Sequence, residues 1–262
     1  SFFSSDKIMN SFSLVNTEGE RTTLSYKGTI KSENDRTYIF GADYTEDKTP
    51  LDNKSNDITG LFGQISFLPI NKLSSTVGLR QDSHSSFGGQ TSFRFTGAYD
   101  YNKNLILKSS YGTGFRAPSL YELFDTTNGN KNLKPEQSQN YEIGFTSKSS
   151  KNATVSGTFF STNTEDLIEW VADCAGGWTG KYKQTTTKTK REGFELSSKL
   201  ILSDKSNAGL AYTHTYSDDG GKIVRVPRNI LVINGTRIIN NKLSLSGIMK
   251  YTNDNSDTSN FN

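Results

Sequence analysis

The sequence predicts an all-β chain, an antiparallel up-and-down transmembrane β-barrel of about 13 strands. Three observations point there. Apolar and polar residues alternate along most segments, the connections between segments alternate in length, and two segments outrun the strands of ordinary soluble domains.

The alternation is clearest in three places. At 92–100, Phe93, Phe95, Gly97 and Tyr99 oppose Arg94, Thr96 and Ala98. At 194–200, Phe194, Leu196, Ser198 and Leu200 oppose Glu195, Ser197 and Lys199. At 242–251, Leu243, Leu245, Gly247, Met249 and Tyr251 oppose Ser244, Ser246 and Lys250, with Ile248 breaking the pattern. Segments 37–44, 72–80, 153–160 and 206–216 repeat it more loosely. Such a period of two marks strands with one apolar face.

Short connections fall near 31–35, 70–71, 102–103, 148–152, 202–205 and 239–241, and long ones near 46–56, 83–90, 114–137, 174–180 and 218–226. In a meander, every second connection emerges at the same end. All long loops therefore share one end and all tight turns the other, the asymmetry of outer-membrane barrels. The longest loop lies between the alternating flanks Leu105, Leu107, Tyr111 and Tyr141, Ile143, Phe145, where Gly112, Gly114, Pro118, Gly129 and Pro135 forbid regular structure.

A soluble β-sandwich accounts for the alternation equally well. It accounts less well for 153–173 and 181–201, which read as strands of about twenty residues. It also leaves unexplained why Tyr44, Tyr99, Tyr101, Tyr111, Tyr216 and Tyr251 gather near strand ends, as an interfacial girdle does.

Composition removes other classes. The hydrophobic fraction is 32%, and no run approaches the length of a membrane-spanning helix. With 16 Phe, 12 Tyr and 23 Gly against 5 Pro, the chain has the makings of many strands rather than of a disordered tail. The 30 basic and 27 acidic residues are interspersed, and the run Lys181 to Arg191 is broken by threonines, so no nucleic-acid partner is expected. The lone Cys174 provides no disulfide framework or thiolate metal site, and Ser1 to Asn10 lacks the pattern of a signal peptide.

The two histidines, His84 and His214, sit in neither a metal-ligand spacing nor a nucleophile turn, so no enzyme, catalytic residue, cofactor or bound metal is expected. The acidic clusters Asp52 to Asp57 and Asp218 with Asp219 read as calcium ligands or as solvated loops. Arg116 either offers its donors to a ligand or pins its loop against Glu122 or Glu136. Trp170, Trp178 and Tyr182 flank the loop around Cys174 and either grip a bulky ligand or pack the loop; Tyr121 joins them as a candidate contact.

Four segments resemble a known family. Gly78-Leu79-Arg80-Gln81-Asp82-Ser83-His84-Ser85-Ser86-Phe87-Gly88 is similar to the strand and loop written G-x-R-x-D-x-H-S-x-F-G in TonB-dependent outer-membrane receptors. The most specific match is Tyr111-Gly112-Thr113-Gly114-Phe115-Arg116-Ala117-Pro118 with Leu120, Leu123, Gly129-Asn130 and Asn132-Leu133-Lys134-Pro135-Glu136. Asn163 to Ile168 resembles N-x-x-D-L-I, and Lys190 to Glu195 the basic approach to G-x-E.

Within that family the cobalamin transporter branch is the most similar. The resemblance implies a barrel of about 22 strands, filled by an N-terminal plug that carries the TonB box. Residues 1–262 then correspond to a fragment of the barrel domain, without the plug and the C-terminal strands. The implied function is import of a bulky scarce nutrient, cobalamin or another corrinoid, with a ferric siderophore as the alternative. The implied partners are outer-membrane lipid and lipopolysaccharide, the TonB complex reached through the plug, and the ligand, for a monomer in a Gram-negative outer membrane. An adhesin or binding protein built as a surface or secreted β-sandwich is the alternative of another class.

Overall fold

The computed structural model describes residues 8–10, 13–15, 19–49, 53–174, 179–185, 188–217 and 226–253. Strands β1 (Ile8–Asn10) and β2 (Ser13–Val15) form a short antiparallel pair. One antiparallel sheet holds twelve strands. They are β3 (Glu20–Lys31), β4 (Thr37–Thr49), β5 (Lys54–Ile70), β6 (Leu73–His84), β7 (Gly88–Asn102), β8 (Leu105–Arg116), β9 (Glu136–Ser150), β10 (Ala153–Glu165), β13 (Thr189–Ser203), β14 (Ser206–Ser217), β15 (Asn229–Asn240) and β16 (Leu243–Asn253). A helix, α1 (Leu120–Phe124), lies between β8 and β9, and the hairpin β11 (Ile168–Ala172) with β12 (Gly180–Gln184) lies between β10 and β13.

Each strand of the sheet pairs with its sequence neighbours, apart from β10 with β13 across the inserted hairpin. Edge strands β3 and β16 do not pair with each other among the described residues, so the sheet is not closed. The sheet strands run 11 to 17 residues, enough to cross a bilayer when tilted.

Register turns the alternation of the sequence into two chemically different faces. Phe93 lies opposite Leu79, Tyr111 opposite Phe95, Tyr141 opposite Tyr111, and Phe159 between Ile143 and Phe194. All are on one face. The other face carries Asp43, Arg80, Asp82, Arg94, Lys108, Glu142 and Glu195 among many hydroxyl side chains.

Among the described residues the apolar face has no second layer. Leu24 is 73% exposed and Ile143 64%. Buried apolar side chains among the described residues are Leu123, Leu133 and Ile168, with Pro118 and Pro135. The chain exposes 18380 Å², against roughly 11,000 Å² for a globular monomer of this mass. A sandwich would have buried that face against a second sheet, so the sandwich alternative fails. An apolar face of this extent fits hydrocarbon. The six predicted girdle tyrosines all lie on it by strand parity, and rings stack laterally there, with Phe93 to Tyr111 at 5.3 Å and Tyr111 to Tyr141 at 4.5 Å.

The two twenty-residue strands are each divided. Asp166 adopts φ 56°, a left-handed conformation that ends β10. On either side of it Thr164 faces Thr189 and Ile168 faces Gln184, four steps along one chain against five along the other. One extra residue thus separates the two ladders, as in a β-bulge. Among the described residues the predicted count of about 13 becomes twelve strands in the sheet and four in the two small hairpins.

A candidate ligand-capture site at the outer mouth

Tight connections at 32–36, 71–72, 103–104, 151–152, 204–205 and 241–242 occupy one end of the sheet. The other end carries the loop 117–135 and the β11–β12 hairpin, which pack on each other. Gly112 and Gly114, expected to forbid regular structure, stay in the β8–β9 ladder opposite Asn140 and Ser138, because a glycine gives up no backbone hydrogen bond. The chain leaves the ladder only after Arg116, at Pro118, and Ser119 starts α1 with a reciprocal cap: its hydroxyl accepts from the Glu122 backbone N–H, and the Glu122 carboxylate accepts from the Ser119 N–H. After α1, Asp125 closes the turn by accepting from the N–H groups of Thr127 and Asn128, and Gly129 N–H donates to the Asp125 carbonyl.

Arg116 sits where β8 ends and donates to both Glu122 and Glu136, at 3.0 and 2.6 Å. Glu136 also accepts from the Ile168 backbone N–H at 2.9 Å. The end of β8, the helix, the start of β9 and the hairpin therefore meet at one guanidinium and two carboxylates. Burial pushes the Glu122 carboxyl up, but Arg116 and the Ser119 N–H together hold it below the usual carboxylate range.

Even-numbered residues of the hairpin face this loop. Ile168 packs with Leu123 and Leu133, and Phe124 and Tyr182 lie against them. Trp170 Nε1 donates to Asn128 Oδ1 at 3.2 Å, the Tyr182 N–H to the Asn128 carbonyl at 2.9 Å, and Asn130 Nδ2 to the Tyr182 carbonyl at 2.9 Å. Gln184 and Lys134 exchange two bonds, at 2.9 and 2.7 Å. Tyr121 meets Tyr182 edge to face at 6.0 Å, and burial raises the Tyr182 phenol.

Arg116, Tyr121, Trp170 and Tyr182, predicted from separate stretches, are thus brought to one end of the sheet, three of them in direct contact with the packed loop. Trp178 lies outside the described residues, as do Asp52, Asp218 and Asp219. Cys174 is exposed. Of the residues that hold the assembly together, Asn130 stood out only as part of the family motif, and Asn128 and Gln184 were not singled out from sequence. Their signal was the turn-forming string Asp125-Thr126-Thr127-Asn128-Gly129-Asn130, which specifies local turns without showing what lies across them.

Beside the loop a cavity of about 760 Å³ opens on the polar face of β3 to β6, with Ala117 to Tyr121 along its rim. Arg80 crosses its wall between Asp43 (2.7 and 2.8 Å) and the nearly fully buried Asp82 (2.6 Å), with its guanidinium over the Phe62 ring at 5.9 Å. Gly60 makes this possible, because a Cβ there would overlap the Arg80 guanidinium. Arg21 pairs with Asp47 nearer the edge.

Comparison with known proteins decides the family. Residues 2–262 match the family model described as TonB dependent receptor-like, beta-barrel. The chain belongs to that receptor family. Among curated relatives, the vitamin B12 transporter BtuB of Photobacterium profundum is 28% identical over 174 residues, 66% of this chain and 27% of its own length. Among solved structures, the siderophore receptor PirA of Acinetobacter baumannii matches 95% of this chain and 45% of its own at TM-score 0.75 and 17% identity. The ferric enterobactin receptor PfeA of Pseudomonas aeruginosa matches 92% and 43% at TM-score 0.76 and 20% identity. These structural likenesses show the fold. The receptor-family chain spans about a quarter of the length of that curated relative, and this is a family of outer-membrane receptors and transporters rather than a class of enzymes.

Proposed function

We propose that residues 1–262 supply wall and mouth to an outer-membrane receptor that takes up a bulky, scarce nutrient, with cobalamin or a related corrinoid as the ligand and the TonB system as the energy source. The carrying observation is the cavity on the polar face, rimmed by a loop that is itself packed and cross-bonded. Its volume suits capture of a sizeable ligand or part of one. Tyr121 lies on its rim, with Tyr182 behind it and Trp170 further along the same packed loop. In this reading Tyr121, Trp170, Trp178 and Tyr182 offer aromatic surface to the ligand, and Arg116 acts on it chiefly by holding the loop in place. The exposed edges of β3 and β16 would be closed by further strands of the same receptor, since unpaired strand edges are not tolerated in hydrocarbon.

The corrinoid reading is supported by the printed activity of the curated relative, a vitamin B12 transporter. The names of the solved neighbours favour a ferric siderophore as the second reading. Calorimetry on the intact receptor, titrated with cyanocobalamin and with ferric enterobactin, separates them. Saturable one-to-one binding of cyanocobalamin alone is expected; binding of ferric enterobactin alone would transfer the assignment to the siderophore. The intact receptor is expected to sediment with outer membranes as a monomer embedded in lipid and lipopolysaccharide. Release by a salt wash without detergent would defeat the membrane placement.

A further inference from the structure

Three polar side chains at the outer ends of β5 and β6 form a unit that the mouth loop does not use. Asn56 and His84 are each only 7% exposed, and both line the cavity. Ser86 joins them. Its backbone N–H donates to His84 Nδ1 at 3.0 Å, and its hydroxyl donates to Asn56 Oδ1 at 2.9 Å. The His84 ring is further fixed by stacking on Phe87, with centroids 3.9 Å apart.

These bonds decide what the pair presents. Because Nδ1 accepts a hydrogen bond from a backbone N–H, the neutral ring carries its proton on Nε2. Because the Asn56 oxygen is occupied by the Ser86 hydroxyl, its amide N–H groups are left over. Neither His84 Nε2 nor Asn56 Nδ2 has a hydrogen-bond partner among the described residues. Two donors, held rigidly on mostly buried side chains, therefore reach the cavity with no acceptor of their own among the described residues. A ligand that displaces water from the cavity without supplying an oxygen would strand both donors.

The charges nearby restrict the class of oxygen. Every cationic side chain lining the cavity is already paired: Arg21 with Asp47, Lys48 with Glu46, and Arg80 with Asp43 and Asp82. Among the described residues that line the cavity no cation is left unpaired to neutralise an incoming anion, and Asp43 and Asp47 would repel one. We propose that Asn56 and His84, ordered by Ser86, are a specificity-determining donor pair that binds an uncharged carbonyl oxygen of the carboxamide class on the captured ligand. The proposal rests on the receptor function proposed above and names the chemistry that this part of the site reads.

The test is calorimetry on the intact receptor with three probes: cyanocobalamin, which carries peripheral carboxamides, its singly hydrolysed carboxylic acids, and ferric enterobactin. His84→Phe keeps a ring to stack on Phe87 and removes the donor. Asn56→Asp keeps the shape and the Ser86 bond and replaces the donors by a carboxylate oxygen. Each is expected to weaken cyanocobalamin binding about tenfold, the worth of one well-made hydrogen bond to a neutral group. His84→Gln, which restores a donor, is expected to recover most of that loss. At least one carboxylic acid derivative should bind the wild-type receptor more weakly than cyanocobalamin and discriminate less between wild type and His84→Phe. Heat-modifiable mobility on gels shows which variants retain a folded barrel. Folded variants that bind cyanocobalamin within twofold of wild type would overturn the pair. Wild-type binding of ferric enterobactin alone would overturn the carboxamide assignment while leaving the receptor function standing, and binding of no probe would overturn that function and the pair with it.

Discussion

The sheet and the mouth loop solve the problem of apolar side chains in opposite ways. In the sheet, Leu24, Leu61, Ile143 and Phe159 project outward and bury little against one another, while the backbone ladder satisfies every strand from both sides except at the edges. In the mouth, Leu123, Leu133 and Ile168 are buried together, and the irregular backbone is satisfied by side chains such as Asp125, Asn130 and Gln184. The difference follows from the solvent each faces. A wall in hydrocarbon needs no core of its own but must close its hydrogen bonds internally. A loop in water needs a core, however small, because its irregular backbone cannot lean on a ladder.

A charge on the wall tests this contrast most severely. Ile143 sits midway along β9 on the apolar face and is 64% exposed, so in a soluble protein its replacement would matter little. Ile143→Arg is expected to destabilise the receptor in bilayers by about 2–4 kcal/mol, as read by denaturant unfolding from lipid vesicles. A change below about 0.5 kcal/mol would mean that the face meets water.

The next largest effect belongs to the mouth. Leu123→Ala should cost about 2 kcal/mol of local stability, because it removes one of three buried apolar side chains from a cluster that only Phe124 and Tyr182 support. Hydrogen exchange should accelerate across 117–135 and 168–184 while the amides of β5 to β7 stay protected. Uniform acceleration throughout would show that loop and sheet unfold as one unit.

The smallest effect concerns the Arg116 centre. The folded state holds Glu122 below the usual carboxylate range, so its pairing contributes fully above about pH 5 and is lost as pH falls through the lowered folded-state value. Trp170, bonded to Asn128 on the same loop, is expected to show a shift in emission over that acidic window. Glu122→Gln should remove most of the transition. An unchanged transition in that variant would assign it to another carboxylate.

Sequence carried most of the wall and half of the mouth. Phe93, Leu196 and Leu245 declared their face by parity alone, because a strand repeats every two residues and the register of a meander propagates from one pair to the next. Of the connections read as long, 114–137 located the mouth, whereas 46–56 and 83–90 shrink to 50–53 and 85–87 because β4 to β7 extend beyond their expected ends; the Pro and Gly residues of 110–145 located the loop. The packing of that loop was not legible. Nothing in the string from Asp125 to Asn130 announces Tyr182, some fifty residues away, as the partner of Asn130, since long-range bonds to backbone groups carry no composition signal. Arg80 and Asp82 were visible as a motif, but Asp43, which completes the ion pair from another strand, was visible only after β4, β5 and β6 were aligned. His84 was set aside for want of a metal or nucleophile spacing, whereas its environment depends on Ser86 and Asn56.

The one-residue offset between the β10–β13 ladder and the β11–β12 ladder has an arithmetic consequence. Along β13 the odd-numbered residues, Arg191 and Gly193, share the polar face; carried on without the offset, that parity would turn Lys181 and Lys183 toward the mouth loop. The extra step exchanges odd for even. Tyr182 and Gln184 arrive beside Trp170 and Ile168 instead, and the lysines point away. The hairpin works as a phase shifter: the one extra residue between Gln184 and Thr189 is what sets an aromatic and an amide, rather than two ammonium groups, against the loop.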